Sequence, residues 1–186
     1  FKQHSVAHFI SGILQGHAYN ESNIEIFCYY TGLQSDCVTE QIKSIGHHWV
    51  PLPQEIPNEE AAKIVYKDKI DILIDLNGHT AENRLNMFAL KPAPIQISYL
   101  GYPNTTGLST IDYRFTDAIA DPQQNQAFYS EKLLYLPNIF LCYNPAKESP
   151  VLTPPPCIDR GFITFGSFNT LRKISTKVLS VWCEIL

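Results

Sequence analysis

Three groups of residues in this chain have types and spacings that could do chemistry. His4 and His8 stand four apart in a stretch with apolar residues at helical spacing, so both rings would share one helix face, an arrangement that can hold a metal ion. No Glu or Cys joins them at ligand spacing, so no metal is expected and a hydrogen-bonded or substrate-contacting pair is the better reading. The second group, Leu100-Gly101-Tyr102-Pro103-Asn104-Thr105-Thr106-Gly107, is rich in glycine and hydroxyls, yet it is neither a Walker loop nor a GxGxxG fingerprint; by composition alone it is a turn. In the third, Phe165-Gly166-Ser167-Phe168-Asn169 precedes Lys173. A glycine turn from strand to helix aims backbone N–H groups and a helix dipole at an anion, and a nearby lysine adds a full charge. That pattern fits phosphate binding, with a solvated lysine at a helix end as the alternative. His79, just after Asn77-Gly78, could face a ligand as readily as solvent, and His47-His48 open a strand with no role assigned.

The elements that must position these residues follow from periodicity. Ile70, Ile72, Leu73, Ile74 and Leu76 form a short apolar run that predicts a strand buried on both faces, stopping at Asn77-Gly78. A helical pattern (Leu85, Phe88, Ala89) leads to a second run, Ile95 to Leu100, which ends in the glycine-bearing loop. Both strands open into polar loops at their carboxyl ends, the edge where open α/β sheets bind ligands. Upstream, the spacing predicts a helix over His4 to Tyr19, a strand over Ile24 to Tyr30, a helix near Cys37 to Ile45 and a strand over His48 to Leu52. A helix over Asn58 to Lys67 follows, capped by Asn58, with Glu59 and Glu60 in its first turn. Downstream, Ile111 to Phe115 and Leu133 to Leu136 read as strands separated by the polar segment Asp121 to Gln126. Alternation throughout predicts a mainly parallel sheet with helices on both faces, a Rossmann-like layer.

Residues 144–160 differ: Pro145, Pro150, Pro154, Pro155 and Pro156 interrupt a stretch without periodicity, the composition of a stiff connector. The segment GFITFGSFN then restarts strand, glycine turn and helix, ending in an amphipathic pattern (Val178, Val181, Trp182, Ile185) still in progress at Leu186. The expected organisation is a lobe over 1–143, a connector over 144–160 and the start of a second lobe over 161–186, in a fragment of a longer protein.

With 45% hydrophobic and 17% charged residues and no apolar run of membrane-spanning length, the composition is that of a soluble globular chain. A net charge of -4 argues against a nucleic-acid surface and leaves proteins or small anions as partners. The five scattered cysteines show no CxxC spacing, which suggests neither a disulfide framework nor a zinc site. Two N-x-[ST] sequons, at Asn20 and Asn104, read as coincidental.

Several long blocks resemble one family: FxxHxxxH from Phe1 to His8, DILIDLNGHT, KPAPIQ from Lys91 to Gln96, LGYPNTTG, IDYRFTD, YSEKLLYLP and FGSFNTLRKI. Together they resemble the catalytic region of the protein O-GlcNAc transferases and the SPINDLY-type protein O-fucosyltransferases. The resemblance implies an α/β fold, the Rossmann-like amino-terminal lobe of a GT-B glycosyltransferase plus the first βα unit of the second lobe. It implies an enzyme that moves one sugar from a nucleotide donor to Ser or Thr hydroxyls of cytoplasmic or nuclear proteins, inverting the anomeric centre. Neither metal nor cofactor would be needed beyond the co-substrate, UDP-GlcNAc or GDP-fucose, and neither nucleic acid nor membrane is an expected partner.

Carried over by position, His4 matches the family's active-site histidine beside the donor. Leu100, Gly101 and Pro103 match the loop lining the acceptor and sugar pocket, with His79 beside it where animal enzymes have tyrosine. Lys173 matches the lysine that stabilises the departing diphosphate, and Thr170 occupies a donor-contacting position that is glutamine in animal members. His79, Asn104 and the FGSFN block look more like the SPINDLY and bacterial members. GlcNAc transfer from UDP-GlcNAc is the first expectation, fucose transfer from GDP-fucose the alternative. A non-catalytic Rossmann-like binding module is the rival from another class, against which the retained loop and Lys173 count.

Overall fold

The computed structural model describes residues 1–19, 23–32, 34–145 and 150–186. The sequon at Asn20 lies outside them. The chain divides into two units, 1–147 and 148–186, considered separately below.

In the first unit helices and strands alternate: α1 (Ser5–Tyr19), β1 (Phe27–Tyr30), α2 (Cys37–Ser44), β2 (His48–Pro51), α3 (Asn58–Lys67), β3 (Ile72–Asp75), α4 (Leu85–Phe88), β4 (Ile95–Ser98), β5 (Tyr113–Thr116) and β6 (Lys132–Tyr135). A 3-10 helix, Gln123–Phe128, bridges β5 and β6. Every ladder is parallel, in the orders β1-β2 and β3-β4-β5-β6. Parallel pairing follows from connections that return the chain to the same end of the sheet: α-helices before β2, β3 and β4, the loop 99–112 before β5 and the 3-10 helix before β6. The result is the expected α/β, Rossmann-like lobe.

Two apolar clusters hold it. Leu52, Ala61, Val65, Leu73, Phe88 and Ile111 form one, joining α3 and α4 to the four-stranded sheet. Ile10, Leu14, Cys28, Ile42, Tyr99 and Phe140 form the other, joining α1 and α2 to β1 and to the end of β4. The β3 run departs from expectation. Leu73 is buried, but Ile72 and Ile74 are half exposed. Among the described residues no ladder joins β1 to β3, and both strands line an apolar cavity of about 1280 Å³ that the two isoleucines face instead of a packed helix.

Other boundaries shift for local reasons. Asn58 does not cap α3: Pro57 occupies the cap with extended backbone, and Asn58, already in the first turn, accepts from the buried Arg84 through Oδ1 at 3.2 Å. α2 carries the stronger cap, since Asp36 accepts from the Thr39 N–H at 2.9 Å and the Asp36 N–H in turn donates to the Thr39 hydroxyl oxygen at 3.2 Å. β4 stops at Ser98 rather than Leu100, because the backbone turns left-handed at Leu100 (φ 63).

The second unit holds a one-turn helix, α5 (Cys157–Arg160), inside the stretch expected to be wholly connector. A 3-10 turn, Leu171–Lys173, and α6 (Thr176–Ile185), capped by Ser175, complete it. The strand expected over residues 161–165 does not form: no strand in the described part of this unit offers it a ladder. No helix among the described residues is long and apolar enough to cross a membrane.

Candidate functional site

The loops that follow β3 and β4 meet at the carboxyl edge of the four-stranded sheet and interlock. Asp75, the last residue of β3, is buried and turns its carboxylate back to accept the N–H of Asn77 at 3.2 Å and of Gly78 at 2.7 Å. This Asx turn places Gly78 in the left-handed region (φ 54), where a Cβ would meet the Cβ of Tyr102 at 2.3 Å. Gly101 presses equally closely on the first loop: a Cβ there would lie 2.0 Å from the Leu76 carbonyl oxygen. Two glycines, one in each loop, therefore let the loops close on each other, Gly101 against the Leu76 backbone and Gly78 against the Tyr102 side chain. Burial raises the Asp75 carboxyl above its ordinary value, opposed mainly by the Asn77 and Gly78 N–H groups that it accepts.

Leu100, buried at φ 63, sits in a conformation that costs a branched residue of order 1 to 2 kcal/mol. Such strain persists where surrounding contacts over-determine it. Here they are visible. Buried Arg114 of β5 donates to the Tyr102 carbonyl at 3.2 Å, and Asp121 stands 3.7 Å from the Arg114 Nε. Tyr129 and Thr116 in turn donate to Asp121 at 2.7 and 2.5 Å.

His79 joins the two loops. Its Nε2 lies 2.8 Å from the Thr106 carbonyl, and its ring meets Tyr102 edge-on at 5.3 Å. Thr105 and Thr106 are held from below by Glu131, which is fully buried. Its Oε2 accepts from the Thr105 hydroxyl at 2.8 Å; its Oε1 accepts from the Thr106 N–H at 2.7 Å and from the Thr106 hydroxyl. Burial pushes the Glu131 carboxyl up, but these donors outweigh it and the net shift is downward. A depressed folded pKa contributes stability that is full above the ordinary value of about 4.3 and is lost as pH falls through the lower folded value. Urea midpoints measured between about pH 6 and pH 3 should therefore fall more steeply for the native chain than for Glu131→Gln, the window lying at and below the usual glutamate range. Equal slopes would remove Glu131 as the acid-sensitive anchor.

His4 lies one residue before α1 rather than on it, so it does not share a helix face with His8. Its Nδ1 accepts the Val6 N–H at 3.3 Å, and it lines the cavity together with Asp75, Asn77 and Thr80. The short segment carrying it is tied down by Asp36, which accepts the Gln3 N–H at 2.5 Å, and by Thr39, whose hydroxyl donates to the Phe1 carbonyl at 2.6 Å. The cap of α2 therefore also positions His4.

Of the residues singled out from sequence, His79, Leu100, Gly101 and Pro103 belong to the interlocked loops, with Pro103 exposed, and His4 borders the adjoining cavity. Thr170 and Lys173 lie in the second unit: Thr170 precedes the 3-10 turn and Lys173 ends it, its N–H donating to the Thr170 carbonyl at 2.9 Å. Lys173 thus sits before α6 rather than on the first turn of a helix following a strand. The residues that escaped sequence reading are Asp75, Tyr102 and Glu131. Asp75 had a local signal in the Asn77-Gly78 turn two residues on, whereas nothing near Glu131 in sequence points to its contact 25 residues away.

The family profile described as Glycosyl transferase family 41 matches residues 1–153. The chain is 46% identical to a probable UDP-N-acetylglucosamine–peptide N-acetylglucosaminyltransferase SPINDLY of Oryza sativa subsp. japonica, over 98% of this chain and 20% of the relative. It is 37% identical to the probable UDP-N-acetylglucosamine–peptide N-acetylglucosaminyltransferase SEC of Arabidopsis thaliana, over 100% of this chain and 20% of that protein. Among solved structures, a mutant of the Thermobaculum terrenum O-GlcNAc transferase superposes with a TM-score of 0.91 at 32% identity, covering all of this chain and 34% of the other. The chain spans about a fifth of the length of the curated relatives it matches.

Proposed function

The chain belongs to glycosyl transferase family 41, and from that premise we propose that the protein it comes from transfers a single sugar from a nucleotide donor to Ser or Thr hydroxyls of other proteins. The observation that carries this reading is the likeness to the SPINDLY relatives over 98% of the chain, loops and connector included. The interlocked loops support it physically. Hydroxyl transfer needs a donor and an acceptor held in line, and a pocket wall braced by a buried carboxylate and a buried arginine holds its shape when they bind.

In this reading Leu100, Gly101, Pro103 and His79 form the acceptor and sugar wall, with His4 beside the donor. Thr170 contacts the nucleotide sugar, and Lys173 neutralises the diphosphate as it departs. The anomeric centre is inverted in one displacement. The chemistry asks for no metal, because a fixed ammonium can serve where the leaving charge develops. The acceptors are proteins of the cytoplasm or nucleus.

UDP-GlcNAc is the proposed donor. GDP-fucose is the second reading, favoured by His79, Asn104 and Thr170, which are SPINDLY-like in type. Transfer to Ser/Thr peptides by the full-length protein, with UDP and GDP as competitors, decides between them. Stronger inhibition by UDP is expected. Stronger inhibition by GDP reverses the order of donors, and no transfer from either donor overturns the function.

A further inference from the structure

We propose that Glu131 is a positioning residue of this site: acting through the Thr106 peptide, it fixes His79 as the tautomer protonated at Nε2, so that Nδ1 is the nitrogen presented to a hydroxyl of the sugar or the acceptor. The inference rests on the glycosyltransferase reading for the identity of that hydroxyl, but not for the geometry.

The chain of contacts is short. A carbonyl oxygen only accepts, so the 2.8 Å approach of His79 Nε2 to the Thr106 carbonyl requires a proton on Nε2. In the neutral ring this leaves the lone pair on Nδ1, and which nitrogen carries the proton is set by the partner of the other. The Thr106 carbonyl is a good partner only while its peptide keeps one orientation. Glu131 enforces that orientation by accepting both the N–H and the hydroxyl of Thr106 on one oxygen and the Thr105 hydroxyl on the other. Glu131 is itself held. The Gln126 side-chain amide donates to the Glu131 carbonyl at 2.9 Å and its amide oxygen accepts the Leu133 N–H at 3.0 Å, so the residue is fixed at the entrance of β6. The side chain makes no contact that strand formation requires; all its bonds run to the loop 25 and 26 residues upstream. Tyr102 limits ring rotation of His79 from the other side. A fully buried carboxylate whose three donors all come from one functional loop is costly to keep unless that loop must not move.

The test uses the full-length protein with 15N-labelled histidine. The His79 imidazole should show the Nε2–H tautomer in the native protein, a mixed or reversed tautomer in Glu131→Ala, and the native pattern again in Glu131→Gln, whose amide oxygen can still accept from Thr106. Transfer should follow: Glu131→Ala is expected to lose on the order of 10²-fold in kcat/KM, as misplacement by about an ångström does, with most of the loss recovered in Glu131→Gln. Because one residue acts through the other, Glu131→Ala combined with His79→Ala should be no worse than His79→Ala alone. If Glu131→Ala does not fold, Thr106→Val, which removes one of the three donors, should move the same resonances part of the way. An unchanged tautomer in these variants, or multiplicative losses in the double variant, overturns the proposal. A tautomer shift in a protein that transfers no sugar would instead leave the positioning intact and overturn only the glycosyltransferase reading.

Discussion

Lys173→Ala in the full-length protein is expected to lower kcat by about 10²- to 10³-fold, about 3 to 4 kcal/mol of barrier, while KM for a peptide acceptor stays near its native value. In the proposed reaction the diphosphate gains negative charge as the glycosidic bond breaks, so an ammonium close to it would bind the transition state more tightly than the bound donor. Only such differential binding raises kcat. Lys173 ends a 3-10 turn whose backbone is closed by its own N–H to the Thr170 carbonyl, and Arg172 and Lys173 are the two basic residues of that turn. Lys173→Arg should restore little, because a broad planar guanidinium does not put a compact charge at the same point. Steady-state kinetics with saturating donor checks this. Near-native kcat with a raised acceptor KM would mean that the lysine is an ordinary solvated side chain.

Much of this architecture was legible in the residues. The apolar runs from Ile70 to Leu76 and from Ile95 to Leu100, with a helical pattern between them, imply parallel strands opening at one edge; they form as Ile72–Asp75 and Ile95–Ser98, and the two glycine loops lie there. What was not legible has physical causes. Half-exposed Ile72 and Ile74 look like core in sequence because periodicity reports side-chain type, not whether another layer lies opposite. Asn58 has the right type for a cap, but Pro57 before it already supplies extended backbone at the cap position. The strand expected over residues 161–165 needs a partner ladder, which a strand pattern cannot supply by itself. Of the interlocked loops, turn chemistry marks only the turns that hold His79 and Gly101, their place in a site coming from the family resemblance, whereas Glu131 contacts Thr106 across 25 residues and looks like any acidic residue before a strand.

The interlock of the two loops gives the largest stability effect expected. Gly101→Ala should destabilise the folded lobe by about 3 kcal/mol or more, as overpacking against atoms that cannot yield does, lowering Tm by roughly 6 to 12 °C. The reason is the identity of the obstructing atoms. A Cβ at Gly101 would lie 2.0 Å from the Leu76 carbonyl oxygen, 3.0 Å from its carbonyl carbon and 3.3 Å from the Asn77 Cα, all backbone, so no side-chain rotation relieves the clash. Gly107 in the same loop makes the control. It has positive φ (75) but nothing within 4 Å of a built Cβ, so Gly107→Ala bears only the left-handed penalty of roughly 1 to 2 kcal/mol. The two variants therefore separate backbone strain from steric contact within one loop. Gly101→Ala should also cost activity beyond its loss of stability. To make room, the loop must lift from Leu76, which carries Tyr102 away from Gly78 and His79 and opens the wall proposed for sugar and acceptor. Calorimetry on both variants, with transfer assayed well below either Tm, checks this. A Gly101→Ala protein no less stable than Gly107→Ala would mean that the two loops do not press together at Leu76, and the braced wall proposed for sugar and acceptor would lose its foundation.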